Sequence, residues 1–309
     1  MSSLVSNVRG KLPLSPVGRF RHWLGGSFWP YLFLTPFFVF FCAFALYPLL
    51  YAFFLSFTSW QGGGDPQPVG LANYLFLLTD STFWQSIANS AVLWILVVPL
   101  QIILAVILAA LLSRAKLRFR GFFRTVLLSS YIVPLVAIVQ VWLILFDQGS
   151  GPVNVLLQLV HLPALGWLTT DTWSKPTMAL LVLWRNSGFA MLVMLASIQS
   201  IPLEYYEAAA IDGAGSVRQF FALTLPLLRR SIGFLAIIST LGVVQMFAEP
   251  KVLTQGGPFN STMTAGYFLY TYISNADFGT GAANTFLLII LLVALSLLML
   301  RFQRAGEKE

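Results

Sequence analysis

The residues in this sequence that could do chemistry are polar side chains placed inside strongly apolar stretches. Arg185, Asn186 and Phe189 fall close to one face of a helix. A second apolar stretch carries Ser239, Gly242, Gln245, Met246 and Glu249. Such groups supply paired hydrogen-bond donors and acceptors and one flat aromatic face, which suit a hydroxyl-rich ligand. Their residue types make these eight residues candidates for contact with a polar solute.

A charged residue inside an apolar run is costly, which makes Arg185 a functional-site candidate. The sequence leaves one alternative open. Buried charges usually need partners, so Arg185 could instead pair with Glu249 and lock two helices together.

Bond-making chemistry is not indicated. No nucleophile–base pair or metal-ligand cluster occurs in the apolar stretches, and His22 and His161 lack metal-ligand spacing. The single cysteine, Cys42, excludes an intrachain disulfide. The chain lacks the G-x-x-x-x-G-K-[ST] phosphate loop. We therefore predict no catalytic residue, no metal site and no cofactor bound by this chain.

A charged, alanine-rich segment, EYYEAAAIDGAGSVRQFFALTLP, separates two apolar runs. Pro202 suits the first turn of a helix, and Glu204 and Glu207 place negative charge near its N-terminal end. Residues 208–210 are alanines, which favour helix and let another protein approach closely. The features predict a short surface helix that displays Glu207 and Asp212.

A second short helix is predicted directly after the first. Gly213 and Gly215 end the first helix because glycine readily adopts the left-handed conformation. Ser216 followed by Gln219 has the spacing of a capping box, and Pro226 marks the start of the next apolar run. An ordinary structured loop remains the alternative interpretation of these features.

These residues must be positioned by membrane-spanning helices. The 309-residue chain is 58% hydrophobic and 9% charged, with a mean hydropathy of +0.80. Apolar runs of about twenty residues, the length needed to cross a bilayer, recur along it. We predict an all-α polytopic membrane protein with spans at residues 29–57, 84–112, 122–146, 177–199, 230–250 and 283–302.

The basic residues predict the orientation of these spans. Fifteen of the eighteen Lys and Arg fall in segments that lie on one side, leaving Lys175, Arg185 and Lys251 elsewhere. By the positive-inside rule, both termini and the charged segment are cytoplasmic. The predicted organisation is a cytoplasmic segment 1–28, a transmembrane domain 29–302 that contains the loop 200–226, and a tail 303–309.

The loops 58–83, 147–176 and 251–282 are then predicted to face outward. They are rich in Gly, Pro and aromatic residues. The run VNVLLQLVHL is too short to span a membrane and is predicted to lie on the surface as an amphipathic helix.

The charged segment resembles the EAA loop of ABC importer permeases. Glu207-Ala208-Ala209, three residues, Gly213, nine residues and then Leu223-Thr224-Leu225-Pro226 follow that pattern, with Leu223 at a position where the family has Ile. Further matches, including VGLANY, RGFFRTVLL, GPVNVLL and LTQGGPFNST, are similar to the sugar-type permeases. They most resemble the maltose-like first permease subunit of type I, binding-protein-dependent importers.

The resemblance implies a role for each part of the charged segment. It implies a cytoplasmic coupling helix that docks on a separate ATPase, with Glu207 as the charged contact, Ala208 and Ala209 as the close-packed surface, Asp212 displayed and Gly213 setting the turn. The flanking helices would contribute the solute cavity. One departure is Ser130, where the family has Pro, and we expect it to straighten the start of the third span.

The resemblance also implies the partners and the location. The expected partners are a second homologous permease, two ATPase subunits that bind ATP and Mg, an extracytoplasmic solute-binding protein, a sugar and membrane lipid, but no nucleic acid. The location is the cytoplasmic (inner) membrane of a bacterium or archaeon. Alternatives are import of another solute such as glycerol-3-phosphate, a non-transport scaffold, or a membrane-embedded enzyme, which the lack of catalytic groups disfavours.

Overall fold

The structure is a computed structural model that describes residues 31–113 and 118–305. The predicted cytoplasmic segment 1–28 lies outside the described residues, and so do Arg114, Lys116 and the end of the predicted tail, residues 306–309. The chain divides after Phe54 into two units. The first contains most of helix α1 (Tyr31–Leu55), which carries a π-helical turn at Cys42–Leu46.

Helix α1 is exposed along nearly its whole length. Its aromatic rings stack along one side at a spacing of four residues, with centroids 6.1 Å apart for Phe40 and Phe44 and 6.2 Å apart for Tyr47 and Tyr51. An apolar helix exposed in this way suits a hydrocarbon environment rather than water.

Four helices in the described residues are long and apolar enough to cross a membrane: α1, α3 (Ser81–Ser113), α7 (Asp171–Gln199) and α13 (Phe278–Ala305). Two bent helix pairs raise the number to six if each pair is one span. The prediction of an all-α polytopic membrane protein is confirmed.

The third span is broken, unlike the single stretch predicted over 122–146. Helix α4 (Arg120–Ile132) and helix α5 (Leu135–Leu145) meet at an angle of 96°. Val133 adopts an extended conformation with φ −64° and ψ 137°, as the residue before a proline usually does, because the ring of Pro134 disfavours helical geometry there. Ser130 lies within the straight part, and the bend comes later, at Pro134.

The fifth span also differs from its predicted range of 230–250. Helix α9 (Ser216–Leu227) bends by 62° into helix α10 (Arg229–Val244). The chain then leaves the helix at Gln245 and forms a separate short helix, α11 (Ala248–Leu253). The predicted end of this span at residue 250 is therefore wrong.

Shorter elements connect the spans. They are α2 (Ala72–Thr79), α6 (Pro152–Leu159), α8 (Leu203–Ile211) and α12 (Ala265–Ser274). Helix α6 corresponds to the predicted amphipathic surface helix. Within the described residues, a two-residue antiparallel ladder of β1 (Thr58–Ser59) and β2 (Gln67–Pro68) is the exception to the all-helical class.

The core lies between α3 and α7, which contact each other along much of their lengths. Leu93 and Val97 of α3 and Met178 and Leu181 of α7 are completely buried there. These two helices form the rigid centre against which the broken spans pack.

The loop around α6 is organised by Asn154, which is 1% exposed. Its side-chain nitrogen donates to the carbonyl of Leu165 at 3.0 Å, and its side-chain oxygen accepts from the Trp167 indole at 3.0 Å. Nearby, the carboxylate of Asp147 accepts from the backbone N–H of Ser150 at 2.7 Å, which holds the pKa of Asp147 below its usual value. These hydrogen bonds give the loop a defined conformation.

Candidate solute cavity and coupling segment

Most of the residues predicted to line a solute pathway surround one cavity of about 230 Å³. Helices α3, α4, α7 and α10 and the start of α11 form its walls. Of the eight predicted residues, the cavity brings together Arg185, Asn186, Phe189, Ser239, Gly242, Met246 and Glu249. The remaining lining residues are Gln101, Tyr131, Val182, Leu235, Ile238 and Val243.

Arg185 lies in this cavity without a carboxylate partner. Its Nε atom is buried and has no hydrogen-bond partner. Among the described residues, Lys175 and Asp171 form an ion pair at 3.7 Å, whereas Arg185 and Glu249 do not lie within 4.0 Å of each other. The direct pair considered as an alternative is therefore not formed, although both charges border the same space.

Arg185 lies beside aromatic rings instead of a carboxylate. The Arg185 guanidinium carbon lies 5.6 Å from the centre of the Tyr131 ring, a distance at which a cation and an aromatic face attract each other. Tyr131 stacks in turn on Phe189, with ring centroids 5.1 Å apart and an angle of 18° between the planes. The cavity therefore presents a cation and aromatic rings side by side.

A very close crossing of α4 and α7 fixes these groups. A Cβ added to Gly188 would lie 2.1 Å from the carbonyl oxygen of Leu127, so the two backbones are in direct contact. Ser130 Oγ lies 2.8 Å from the Leu127 carbonyl and 3.2 Å from the carbonyls of both Trp184 and Arg185. Ser130 thus joins α4 to α7 at the level of the cavity arginine.

The cavity offers other polar atoms to a ligand. Ser239 Oγ is buried and has no hydrogen-bond partner, and Glu249 reaches the cavity from α11. A polyol could bond to Ser239 and Glu249 from one side and to Arg185 and Asn186 from the other. The arrangement suits reversible binding of a polar solute.

The lining of the cavity differs from the eight predicted residues: Gln245 is absent, and six residues are added, of which Gln101 and Tyr131 are polar. Gln245 does not line the cavity: it ends α10, its side chain is exposed, and its carbonyl oxygen packs against Gly266. Gln101, which is 4% exposed, and Tyr131 are lining residues that the sequence analysis did not select. Gln101 is the only glutamine between Ser90 and Ser113 of α3, in a stretch of otherwise apolar residues, and this was the available signal.

The charged segment forms the predicted pair of short helices. Pro202 precedes α8, and Glu207, Ala208 and Asp212 are exposed, whereas Ala209 is half-buried. Gly213 has a φ of +80°, the left-handed conformation expected at a helix end, and space for a Cβ is open around it.

The capping box predicted at Ser216 and Gln219 is wrong. The cap position is Gly215, and no side chain makes a cap hydrogen bond. Gln219 instead donates from its side chain to the carbonyl of Ala214 at 3.0 Å and to that of Tyr206 at 3.3 Å. The glutamine therefore closes the turn between the helices from the C-terminal side.

A second contact joins α8 to α9. The hydroxyls of Tyr206 and Thr224 are 2.9 Å apart, and Thr224 ends a π-helical turn, Phe220–Thr224, within α9. Because α9 leads directly into α10, the contact between Tyr206 and Thr224 links α8 to a helix that lines the cavity.

Comparison with known proteins identifies the family. Residues 101–308 match the family model described as "Binding-protein-dependent transport system inner membrane component". The chain is 34% identical to the lactose transport system permease protein LacF of Rhizobium radiobacter over 284 residues, which cover 90% of this chain and 94% of that protein. It is 29% identical to the trehalose/maltose transport system permease protein MalF of Thermococcus litoralis, over 89% of this chain and 93% of that protein.

The fold matches as well. A chain in the crystal structure of a bacterial ABC transporter involved in the import of the acidic polysaccharide alginate superposes with a TM-score of 0.81 at 20% identity, covering 93% of this chain and 99% of that chain. This chain belongs to the family of inner-membrane permease components of binding-protein-dependent transport systems.

Proposed function

We propose that this permease imports a saccharide, either a disaccharide or an oligosaccharide, which an external solute-binding protein delivers. The observation that carries the proposal is the cavity itself. Unpartnered polar atoms on Arg185 and Ser239 stand beside the stacked rings of Tyr131 and Phe189. Sugars combine hydroxyl groups with flat apolar faces, so such a surface is complementary to them. The transport of lactose, of trehalose and maltose, and of alginate by similar proteins supports this class of solute.

The energy for import comes from outside this chain. We assign ATP and Mg to two separate ATPase subunits, and a second, homologous permease completes the pathway. Helix α8 carries the contact with the ATPase through Glu207, with Ala208 and Ala209 allowing close approach. The exposure of Glu207, Ala208 and Asp212 supports this role, because these side chains are accessible to another protein.

A second candidate is an anionic solute such as glycerol-3-phosphate. It is favoured by one observation, the buried Nε of Arg185 that lacks a partner. Arginine binds phosphate and carboxylate groups through paired donors, so an anion would satisfy it.

Reconstitution of the four-subunit complex in liposomes tests the proposal. Uptake of a radiolabelled disaccharide should require ATP, the binding protein and this chain together. Uptake of glycerol-3-phosphate without any disaccharide uptake would favour the second candidate. ATP hydrolysis that no binding protein stimulates would contradict import altogether.

Replacing Arg185 by alanine is expected to weaken solute transport while leaving the complex assembled. A hydrogen bond to a charged group contributes about 1.5–3 kcal/mol, so the apparent transport constant should rise about tenfold or more. Uptake kinetics and size-exclusion chromatography measure the two properties. Gln140→Ala, on an exposed position of α5 outside the cavity, is the matched control and should behave as wild type. Normal uptake by an assembled Arg185→Ala complex would remove Arg185 from the pathway.

In the proposed orientation, the end of α8 lies on the cytoplasmic side of the membrane, and the loop after α11 lies on the opposite side. In a Cys42→Ser background, Asn260→Cys should react with an impermeant maleimide added outside the cell. Asp212→Cys should react only after the membrane is opened. Both positions are exposed, so access alone decides the outcome. The reverse pattern would invert the proposed topology.

A further inference from the structure

The loop between α11 and α12 is held rigid by its own hydrogen bonds. The hydroxyls of Thr254 and Thr262 are 2.6 Å apart, and Thr262 Oγ1 also donates to the carbonyl of Gly257 at 2.9 Å. Thr262 is completely buried. We call residues 254–263 the anchor loop, because these contacts give its tip a defined conformation.

Helix α3 holds the tip of the anchor loop from the side. Gln85 donates from its side chain to the carbonyl of Phe259 at 3.1 Å. Asn89, itself 5% exposed, donates to the carbonyls of Asn260 at 2.7 Å and Met263 at 2.9 Å. Two side chains of α3 thus bind three carbonyls of the loop, those of residues 259, 260 and 263.

These contacts display an aromatic ring to the surroundings. Phe259 is 92% exposed, the highest value among the large hydrophobic residues in the described part of the chain. Phe259 and Asn260 both adopt positive φ, at 49° and 59°, a conformation that is uncommon for residues other than glycine. A backbone held in this way around an exposed ring indicates a function for the ring.

The anchor loop lies at the end of the protein opposite α8. Ser261 contacts Ser174 in the first turn of α7, with hydroxyls 3.3 Å apart, whereas α8 follows the last turn of α7. The 29 residues of α7 separate the two ends by about 40 Å, at 1.5 Å per residue. If α8 meets the ATPase, Phe259 faces outward.

We propose that Phe259 is an aromatic anchor that inserts into a surface pocket of the extracytoplasmic solute-binding protein. The inference rests on the proposed function for the side of the membrane, and family membership establishes dependence on a binding protein. Exposed aromatic residues on prearranged loops dominate many protein interfaces, since little conformational freedom is lost on binding. Two polar, exposed neighbours of Phe259 favour a protein over lipid: Gln85 donates to its carbonyl, and Asn260 follows it in the chain.

The test measures how much binding protein the complex needs. In nanodiscs containing the complete complex, Phe259→Ala should raise the concentration of binding protein for half-maximal ATPase stimulation at least tenfold. Basal hydrolysis should not change, because Phe259 touches neither the cavity nor α8. Phe76→Ala, which removes another exposed ring on the neighbouring helix α2, is the matched control and should stay within twofold of wild type. A half-maximal concentration for Phe259→Ala within twofold of wild type would overturn the proposal.

Photocrosslinking gives an independent readout. The substitution Phe259→p-benzoylphenylalanine should yield an adduct with purified binding protein, identified by mass spectrometry. An adduct with lipid alone would overturn the proposal, since it would place the ring in the bilayer. Crosslinking without ATPase stimulation in the wild-type complex would refute the import function and leave the anchor standing. The absence of a binding-protein adduct in a complex that is stimulated normally would refute the anchor alone.

Discussion

Replacing Gly188 by alanine is expected to lower the thermal stability of the permease sharply and to reduce the amount of assembled complex. The added Cβ would lie 2.1 Å from the Leu127 carbonyl oxygen and 2.5 Å from its carbon, and these are backbone atoms that cannot rotate away. Helices α4 and α7 would have to separate. Inserting atoms into a packed core costs about 1–3 kcal/mol, and here the separation would also pull Ser130 from the carbonyls of α7.

The chain contains a control with the same chemical change. Gly121 also lies in α4, but nothing lies within 4 Å of the position of its Cβ. Gly121→Ala should be neutral or stabilising by up to about 1 kcal/mol, because alanine favours helix more than glycine does. Thermal unfolding followed by fluorescence-detected size-exclusion chromatography compares the two variants. Equal midpoints would show that the crossing is looser than described.

Replacing Glu207 by alanine is expected to uncouple ATP hydrolysis from solute import. If Glu207 forms a charged contact with the ATPase, its removal leaves the opposite charge unpaired, which costs about 2–5 kcal/mol at an interface. The ATPase should then co-purify poorly, and stimulation by loaded binding protein should be lost. Solute should still bind to the permease pair, since α8 contributes nothing to the cavity.

A second substitution in the same segment changes the backbone conformation at the end of α8 and leaves its charges unchanged. Gly213→Val forces a branched residue into a φ of +80°, which costs about 1–2 kcal/mol and should distort the end of α8. Ser216→Ala is the matched control, because Ser216 is exposed and makes no cap hydrogen bond. It should retain the ATPase, whereas the other two variants should lose it. Full coupling in Glu207→Ala and Gly213→Val would refute the role of the segment.

The spans could be predicted because a run of about twenty apolar residues by itself indicates a helix long enough to cross a membrane. The break at Pro134 could have been anticipated from the proline alone, but its angle of 96° depends on packing against α7. The end of α10 at Val244 could not be predicted, since Met246 and Phe247 are again apolar after Gln245 and no glycine or proline follows until Pro250.

The end of α10 at Val244 also explains why the lining of the cavity was predicted incompletely. A continuous helix was assumed for residues 239–249, but the chain turns after Val244, so Met246 and Glu249 reach the cavity whereas Gln245 points away. Gln101 was missed for a different reason. Which side of α3 faces α10 depends on the contacts between helices, and apart from Gln101 the residues of α3 from Ala91 to Leu112 are apolar on every side.

The break at Pro134 also determines how the third span can enter the membrane during synthesis. Helix α4 has 13 residues and α5 has 11, which correspond to about 20 Å and 16 Å of length, so neither can cross a hydrocarbon layer of about 30 Å alone. The acceptors for Ser130 and the groove at Gly188 belong to α7, which the ribosome makes some fifty residues later. We therefore expect the third span to be held in the bilayer only once the fourth is in place, so that these two spans are integrated as a pair.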